Sequence, residues 1–296
     1  MINRTTKEKI DALYKRYTAL AKGNEDLLKE IALAEIPEMV YNSNAIENST
    51  LTLEDTEKIL AGNTLHRKVN IREIYEAKNL AIITETLLEK NKHKLDINLI
   101  LDLHKILLTH IDDSIAGRFR SGKEWIRIGN HLGANPQFVY SLMQELLDDY
   151  NENKSRYFLD TIARFHAEFE TIHPFVDGNG RMGRVLINVQ LINAGYPPII
   201  IQNKSKHTDY YPLFTHYPVT MKYGNFTQLF ALLLQEALHK RISIISAKKI
   251  IPLSIWSTQN GVKHNVAANK AKRQTIPAFR MREKWMIAEN YMSIEL

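Results

Sequence analysis

Between Phe158 and Ile192 the chain has to make two amphipathic helices joined by a turn that no helix can run through. Phe158, Ile162, Phe165, Phe169 and Ile172 recur at three- and four-residue steps, the spacing of a helix with one buried stripe. Pro174 stops that helix, because it has no N–H to give and its ring clashes with the preceding turn. Met182, Val185, Leu186, Val189 and Ile192 repeat the period, and Gly195, Pro197 and Pro198 supply the next stop. The string between the two stripes is His173-Pro174-Phe175-Val176-Asp177-Gly178-Asn179-Gly180-Arg181-Met182-Gly183-Arg184. One turn thus carries a base, a carboxylate, two loop glycines and two guanidiniums.

Each of these groups suits phosphate chemistry. Gly178 and Gly180 let the backbone take positive φ and approach a ligand without a Cβ in the way. The first N–H groups of the second helix lack intrahelical acceptors and make an anion seat. Arg181 and Arg184, three apart, share a helix face and can fork onto phosphate oxygens. Asp177 is a hard oxygen ligand of the kind that shares Mg²⁺ with a polyphosphate. His173 is the group in the string able to take a proton near neutral pH. The set is the inventory of a phosphoryl or nucleotidyl transfer site.

The same string resembles the signature of the Fic (Fic/Doc) family, His-Pro-Phe-x-(Asp/Glu)-Gly-Asn-Gly-Arg-x-x-Arg, and matches it at every fixed position. Residues from about Ile36 to Ile244 look like a Fic core with an N-terminal extension. The resemblance implies a mainly α fold, a Fic-type helical core with a short β-hairpin flap. It also implies a protein adenylyltransferase, in which a target Ser, Thr or Tyr hydroxyl attacks the α-phosphate of ATP and keeps the AMP. Carried over by position, His173 is the base, Asp177 the Mg²⁺ ligand and Phe175 an apolar anchor. The amides of Gly178, Asn179 and Gly180 cradle the phosphates, with Arg181 and Arg184 on the β and γ groups.

Upstream, Ser43-Asn44-Ala45-Ile46-Glu47-Asn48 resembles the family's inhibitory motif. Ser43 and Glu47 at i and i+4 share a helical face, Pro37 suits a first turn, and Asn48 tolerates the left-handed conformation that ends a helix. By resemblance Glu47 pairs with Arg184 and keeps the γ-phosphate from its productive seat; removal of AMP from the target is a further activity the resemblance admits. Residues 118–129, beginning Arg118-Phe119-Arg120, look like the flap, with Gly122 able to make its turn and Trp125, Ile126 and Ile128 favouring strand. A flap of this type takes an unidentified protein target as an added strand, and Ile126 falls where it touches both target and nucleotide. Tyr210 and Tyr211 resemble the pair that walls the adenine pocket, Tyr211 stacking on the base. Pro218 stands where relatives often have asparagine, which leaves Asn203 or Tyr217 as other adenine contacts and leaves open a different nucleotide or diphosphate donor.

Beyond the core, Leu13–Ile31, Ile71–Leu88 and Leu95–Leu108 have amphipathic helical patterns, and Phe226–Ser246 is the expected last core helix. After a Lys-rich linker, Ala247-Lys248-Lys249-Ile250, the chain resembles a small winged helix-turn-helix of the excisionase type. Its helices are expected at Leu253–Thr258 and Val266–Arg273, and its hairpin at Ile276–Met281 and Lys284–Ile287, turning at Arg282-Glu283. From Lys263 to Lys284 there are seven Lys or Arg against one acid, Glu283. DNA is therefore a candidate partner, or a protein docked on a basic surface, and a DNA-binding regulator with a nucleotide-sensing core is the non-enzymatic alternative. The organisation expected is 1–92 as the extension with the inhibitory motif, 93–246 as the core and 252–296 as the winged module.

Composition narrows the setting. The 296 residues are 44% hydrophobic and contain no cysteine, so disulfides and thiolate metal sites are excluded. No apolar run reaches the ~18 residues of a membrane-spanning helix, and Met1 to Lys9 lacks an apolar signal segment, from which a cytoplasmic protein is expected.

Overall fold

The computed structural model describes residues 1–90, 92–129, 131–152 and 155–292. The last four residues of the expected 252–296 module lie outside them. In chain order the elements are α1 (Arg4–Ala21), α2 (Glu25–Ala34), α3 (Ile36–Ile46), α4 (Leu53–Leu60), α5 (Ile71–Glu89) and α6 (Ile97–Leu108). The short strands β1 (Arg127–Ile128) and β2 (His131–Leu132) come next, then α7 (Val139–Glu152), α8 (Phe158–Ile172), α9 (Asn179–Asn193), α10 (Tyr211–Thr220) and α11 (Gly224–Ser246). The chain ends with β3 (Ile250–Pro252), α12 (Leu253–Gln259), α13 (His264–Lys272), β4 (Phe279–Met281) and β5 (Lys284–Ala288). Two compact units result. The first comprises Met1, 35–196 and 200–227, and the second 2–34, 197–199 and 228–296.

In the first unit the helix starts are written in side chains. Thr52 and Asp55 close a capping box on α4, and Asn70 and Asp96 accept from the first-turn amides of α5 and α6. The stripes of α5 to α9 bury Leu80, Ile83, Leu103, Leu107, Phe165, Phe169, Met182 and Leu186 in one core. Phe175, from the turn between α8 and α9, is fully buried in it. Both stripes read from the sequence thus form the expected helices, and the turn between them is anchored from below.

The flap is shorter and later than expected. Its strands pair Arg127 with Leu132 and Ile128 with His131, so the chain reverses after Gly129, at φ 55°, and not at Gly122. Gly122 does have positive φ, but in a turn of the approach segment, where Arg118 forks onto Glu124 at 2.7 and 2.8 Å. β-propensity marked the strand-forming stretch without fixing its register.

The second unit contains two departures. The stripe Leu13–Ile31 is two helices, because Gly23 at φ 80° breaks the ladder between α1 and α2. The supposed linker runs at its last residue, Ile250, into β3, which pairs with β5 to give the antiparallel order β3-β5-β4. A three-residue strand pairing more than thirty residues downstream leaves no local signal. The helices α12 and α13 and the hairpin β4–β5 fall as expected, with Arg282 and Glu283 both at positive φ in the two-residue turn. Trp256, Ala267, Ala271, Ile276 and Ile287 close a small core there, and the Trp256 indole donates to the Tyr291 carbonyl at 2.9 Å. Because Trp256 is fully buried in a core this small, Trp256→Ala should cost about 3–5 kcal/mol, measured as a lowered denaturant midpoint with the α9 region retaining its hydrogen-exchange protection.

Candidate active site

The site is built around the end of α8. His173 caps that helix in the left-handed conformation, φ 53° and ψ 65°, where glycine is the usual occupant. Gly178, at φ 82°, then starts α9, and a Cβ there would lie 3.0 Å from Leu107. Asn179 holds the loop closed: its Oδ1 accepts from the Phe175 amide and its Nδ2 donates to the Phe175 carbonyl, both at 2.8 Å. The Phe175 ring stacks on His104 with centroids 3.7 Å apart. His104 accepts from the Gly117 amide at Nδ1, so Nε2 carries the proton and donates to the Asp177 carbonyl at 3.0 Å. Burial pushes this imidazole down to about 4, which keeps it neutral in that role.

Above the loop lies a cleft of about 1180 Å³. Of the residues singled out from sequence, Glu47, Asn48, His173, Asp177, Gly178, Asn179, Gly180, Arg181, Arg184, Tyr210 and Tyr211 line it. Ser43 reaches it through Arg184, whose Nε donates to the Ser43 hydroxyl at 3.0 Å and whose Nη2 donates to the Ser43 carbonyl at 2.8 Å. The same Nη2 lies 2.8 Å from Glu47 Oε1. The pair expected between residues far apart in sequence is therefore formed. Gly180 makes room for it, since a Cβ at that position would sit 2.3 Å from Glu47 Oε1. Asn48 follows at φ 67°, the left-handed residue expected after the helix.

Three expected contacts fall differently. Ile128 and Gly129 line the cleft, whereas Ile126 does not; its carbonyl accepts from the Gly133 amide at 2.9 Å. Tyr217 is buried with its hydroxyl donating to Glu168 at 2.5 Å, and the Asn203 amide donates to Asn42, so neither lines the cleft. Phe214 and Thr215 do. The Gly178 amide is taken by Asp177 Oδ1 at 2.6 Å, which leaves the first amides of α9 as the open end of the cradle.

Several residues at the site carried no sequence signal. Arg72, on the first turn of α5, pairs with Asp177 and with Glu76, the latter at 3.0 Å. Glu76 also meets Arg181 at 3.0 Å. Burial alone would raise the Asp177 carboxyl, but Arg181, Arg72 and the Gly178 amide outweigh it and hold the group below its ordinary value. Lys206, in a π-helical turn at Lys206–Tyr210, donates to the carbonyls of Ala45 and Ile46 at 2.9 and 3.1 Å and to Asn48 Oδ1 at 3.0 Å. Glu170, one turn before His173, places Oε2 3.7 Å from His173 Nδ1. Its Oε1 is buried without a hydrogen-bond partner among the described residues.

Residues 94–191 match the Fic/DOC family. The protein adenylyltransferase fic-1 of Caenorhabditis briggsae is 28% identical over 240 residues, covering 79% of this chain and 45% of that protein. The protein adenylyltransferase Fic of Drosophila melanogaster is 34% identical over 174 residues, 57% of this chain and 35% of that one. The chain thus spans less than half the length of these curated relatives. A Fic-domain signalling protein from Bacteroides thetaiotaomicron superposes with a TM-score of 0.72 at 24% identity, over 80% of this chain and 96% of its own. A Fic family protein from Desulfovibrio desulfuricans does so at 0.68 and 22%, over 99% and 98%. The chain carries a Fic/DOC domain and has the fold of these proteins.

Burial pushes the Glu170 carboxyl up to about 8, with Arg184 opposing and Glu47 reinforcing the shift. A carboxyl raised in the folded state contributes stability below its unfolded value, near 4.3, and loses it as pH climbs towards 8. Glu170→Gln keeps the shape and removes the titration. Its melting temperature should therefore exceed the parent's at pH 8, by about 2–4 °C for each ~1 kcal/mol recovered, with the gap closing towards pH 5.

Proposed function

We propose that this chain is a protein adenylyltransferase, moving AMP from ATP to a Ser, Thr or Tyr hydroxyl of a protein target, and that Glu47 restrains it. The observation that carries the reading is the convergence on one cleft of His173, the α9 amides, Arg181 and Arg184, with a carboxylate from α3 already on Arg184. In this reading residues 1–92 bear the restraint, 93–246 the transfer site and 252–296 a separate module. The cleft is larger than the ~300–1,000 Å³ of ordinary small-ligand pockets, which leaves space for a side chain to enter beside a nucleotide.

The roles follow from the positions. His173 takes the proton of the target hydroxyl at Nε2 as that oxygen bonds to the α-phosphorus. The bond from phosphorus to the bridging oxygen breaks, and pyrophosphate leaves with the electron pair. The α9 amides and Arg181 hold the polyphosphate in line, so that positioning and charge neutralisation lower the barrier. Asp177, ionised and at the edge of the cradle, fits a Mg²⁺ ion that keeps its waters and is held mainly by substrate phosphates. Such an ion would neutralise charge on the leaving group. Tyr211 and Phe214 offer apolar rings for the base, and Ile128 at the flap strand is placed to meet both nucleotide and target. Arg184 serves the γ-phosphate once Glu47 has left it.

A charge-assisted hydrogen bond to a buried guanidinium is worth about 1.5–3 kcal/mol, so Glu47→Gly should raise self-labelling from ATP about 10–150-fold. Arg184→Ala should stay silent with or without Glu47, because it loses the phosphate contact along with the restraint. His173→Ala in the Glu47→Gly background should bind ATP and lose about 10²–10⁴-fold in transfer. Equal labelling by the parent chain and Glu47→Gly would remove the restraint from the account, and wild-type rates in His173→Ala would remove the base.

For the second unit we propose duplex DNA as the partner of 252–296. Helix α13 follows α12 after a four-residue turn and exposes His264, Asn265, Asn269 and Lys272, and the hairpin turn exposes Arg282 and Lys284. Such an arrangement would suit a recognition helix with a basic wing. Lys272→Ala with Lys284→Ala should weaken retention of the full chain on DNA and flatten the dependence of log K on log salt by about two units. An unchanged slope would favour a protein partner.

A further inference from the structure

The left-handed backbone at His173 has to be held by something, and glycine does not do it. The last carbonyls of α8 have no partner inside the helix and form the negative end of its dipole, and Pro174 removes the N–H that would begin a backbone cap. Arg120 supplies the missing donors. It is 1% exposed, and its Nε donates to the His173 carbonyl at 2.7 Å. Nη2 donates to the Ile172 carbonyl at 2.9 Å and to the Ala134 carbonyl, and Nη1 to the Glu124 carbonyl at 3.3 Å. The Arg120 amide completes the set by donating to the Pro174 carbonyl at 2.9 Å.

The choice of residue is informative because it is costly. Burying a guanidinium without a carboxylate costs several kcal/mol, and the nearest carboxylate, Glu124, is forked onto Arg118. A neutral cap would satisfy the end of α8 alone. What only a guanidinium provides is a rigid fork of five donors that reaches carbonyls on separate segments at once. Here the segments are the turn that carries His173 and the two arms of the flap, since Glu124 precedes β1 and Ala134 follows β2. Gly133 keeps the fork in register: a Cβ there would lie 3.0 Å from Arg120 Nη2 and 3.4 Å from His173 Cβ.

We propose that Arg120 is a positioning residue that ties the seat of the His173 imidazole to the seating of the flap, so that the base is aligned when a target strand holds the flap in place. This rests on the proposed role of His173. The consequence is that weakening the fork harms transfer more than nucleotide binding, because the phosphate cradle lies on the other side of Pro174 and the side-chain hydrogen bonds of Arg120 go to the carbonyls of Glu124, Ala134, Ile172 and His173.

The test uses the full chain with Glu47→Gly as parent and adds Arg120→Lys or Gly133→Ala. Calorimetry with an ATP analogue bearing a methylene bridge between the α and β phosphorus atoms gives affinity and the number of intact sites. Single-turnover labelling from ATP then gives the rate per site. Arg120→Lys should keep affinity within about twofold and lose roughly 10²-fold in rate, the penalty of an ångström-scale misplacement; Gly133→Ala, which displaces the fork without removing it, should lose about tenfold. The His173 imidazole NMR signal, assigned by its loss in His173→Ala, should move in both variants. Parent rates per site, or an unmoved signal, in either variant would overturn the proposal. If Arg120→Lys does not fold, Gly133→Ala decides alone. If the parent binds nucleotide but labels nothing, adenylyl transfer is wrong, and the imidazole signal still decides whether Arg120 positions His173.

Discussion

Within the seven residues from Ile172 to Gly178 one helix must stop, another must start, and every backbone group exposed by the two ends must find a partner or a ligand. The two ends carry opposite partial charge, so they call for opposite partners. At the α8 end a buried cation, Arg120, meets the carbonyls of Ile172 and His173. At the α9 end the first amides face the cleft, where an anion would satisfy them. What fixes the angle between the ends is apolar: Phe175 is buried against His104, and Asn179 ties the Phe175 backbone to the new helix. The placement of His173 is therefore a consequence of how the turn is packed and capped.

The two arginines of α9 occupy similar positions but are held differently. Arg181 and Arg184 are both buried, and each is met by a carboxylate from a different helix, Glu76 from α5 and Glu47 from α3. The Glu76 side chain is 13% exposed and that of Glu47 41%. Charges paired in a buried setting are strongly held, whereas a carboxylate partly open to water is the easier of the two to exchange. Arg181 is thus the more firmly held of the two. Arg184 is the arginine whose partner can be replaced.

The loop was legible because its residues have narrow physical uses that reinforce one another along a continuous stretch: two amphipathic stripes, a proline stop and two glycines, of which Gly178 takes the expected positive φ, whereas Gly180 is helical and is needed for the close approach of Glu47. Glu47 was legible only through Arg184, since a Ser-x-x-x-Glu helix end means nothing until a cation is known to await it. Of the contributors that escaped, Arg72, Lys206 and Arg120 share one property. Each acts on a group distant in sequence, or through backbone carbonyls that have no side-chain identity; Glu170 is near His173 in sequence, but a lone acid on a helix carries no sign of its burial. Four carbonyls gathered by one guanidinium leave no trace in residue types. Register escaped for a related reason: β1–β2 and β3–β5 are held by backbone pairing over two or three residues, too short for alternation to show.

A half-exposed carboxylate such as Glu47 would hold a guanidinium weakly if its helix end were free to fray, because ordering both side chains costs much of what the contact returns. The end of α3 is not free. Lys206 gathers the Ala45 and Ile46 carbonyls, the Tyr211 hydroxyl donates to the Ile46 carbonyl at 2.5 Å, and Asn48 turns the chain away. Beyond it, the hydroxyls of Ser49 and Thr50 donate to Glu73 at 2.9 Å. With the backbone fixed on both sides, what Glu47 has left to lose on pairing is a few side-chain rotations. The clamp thus makes an intrinsically weak pair persistent, and Tyr211, one of its members, also lines the cleft. A ring stacked on Tyr211 from the cleft side would bear on the residue that holds the end of α3, so in the proposed reading the base end of a bound nucleotide and the Glu47–Arg184 pair at its phosphate end would share a side chain.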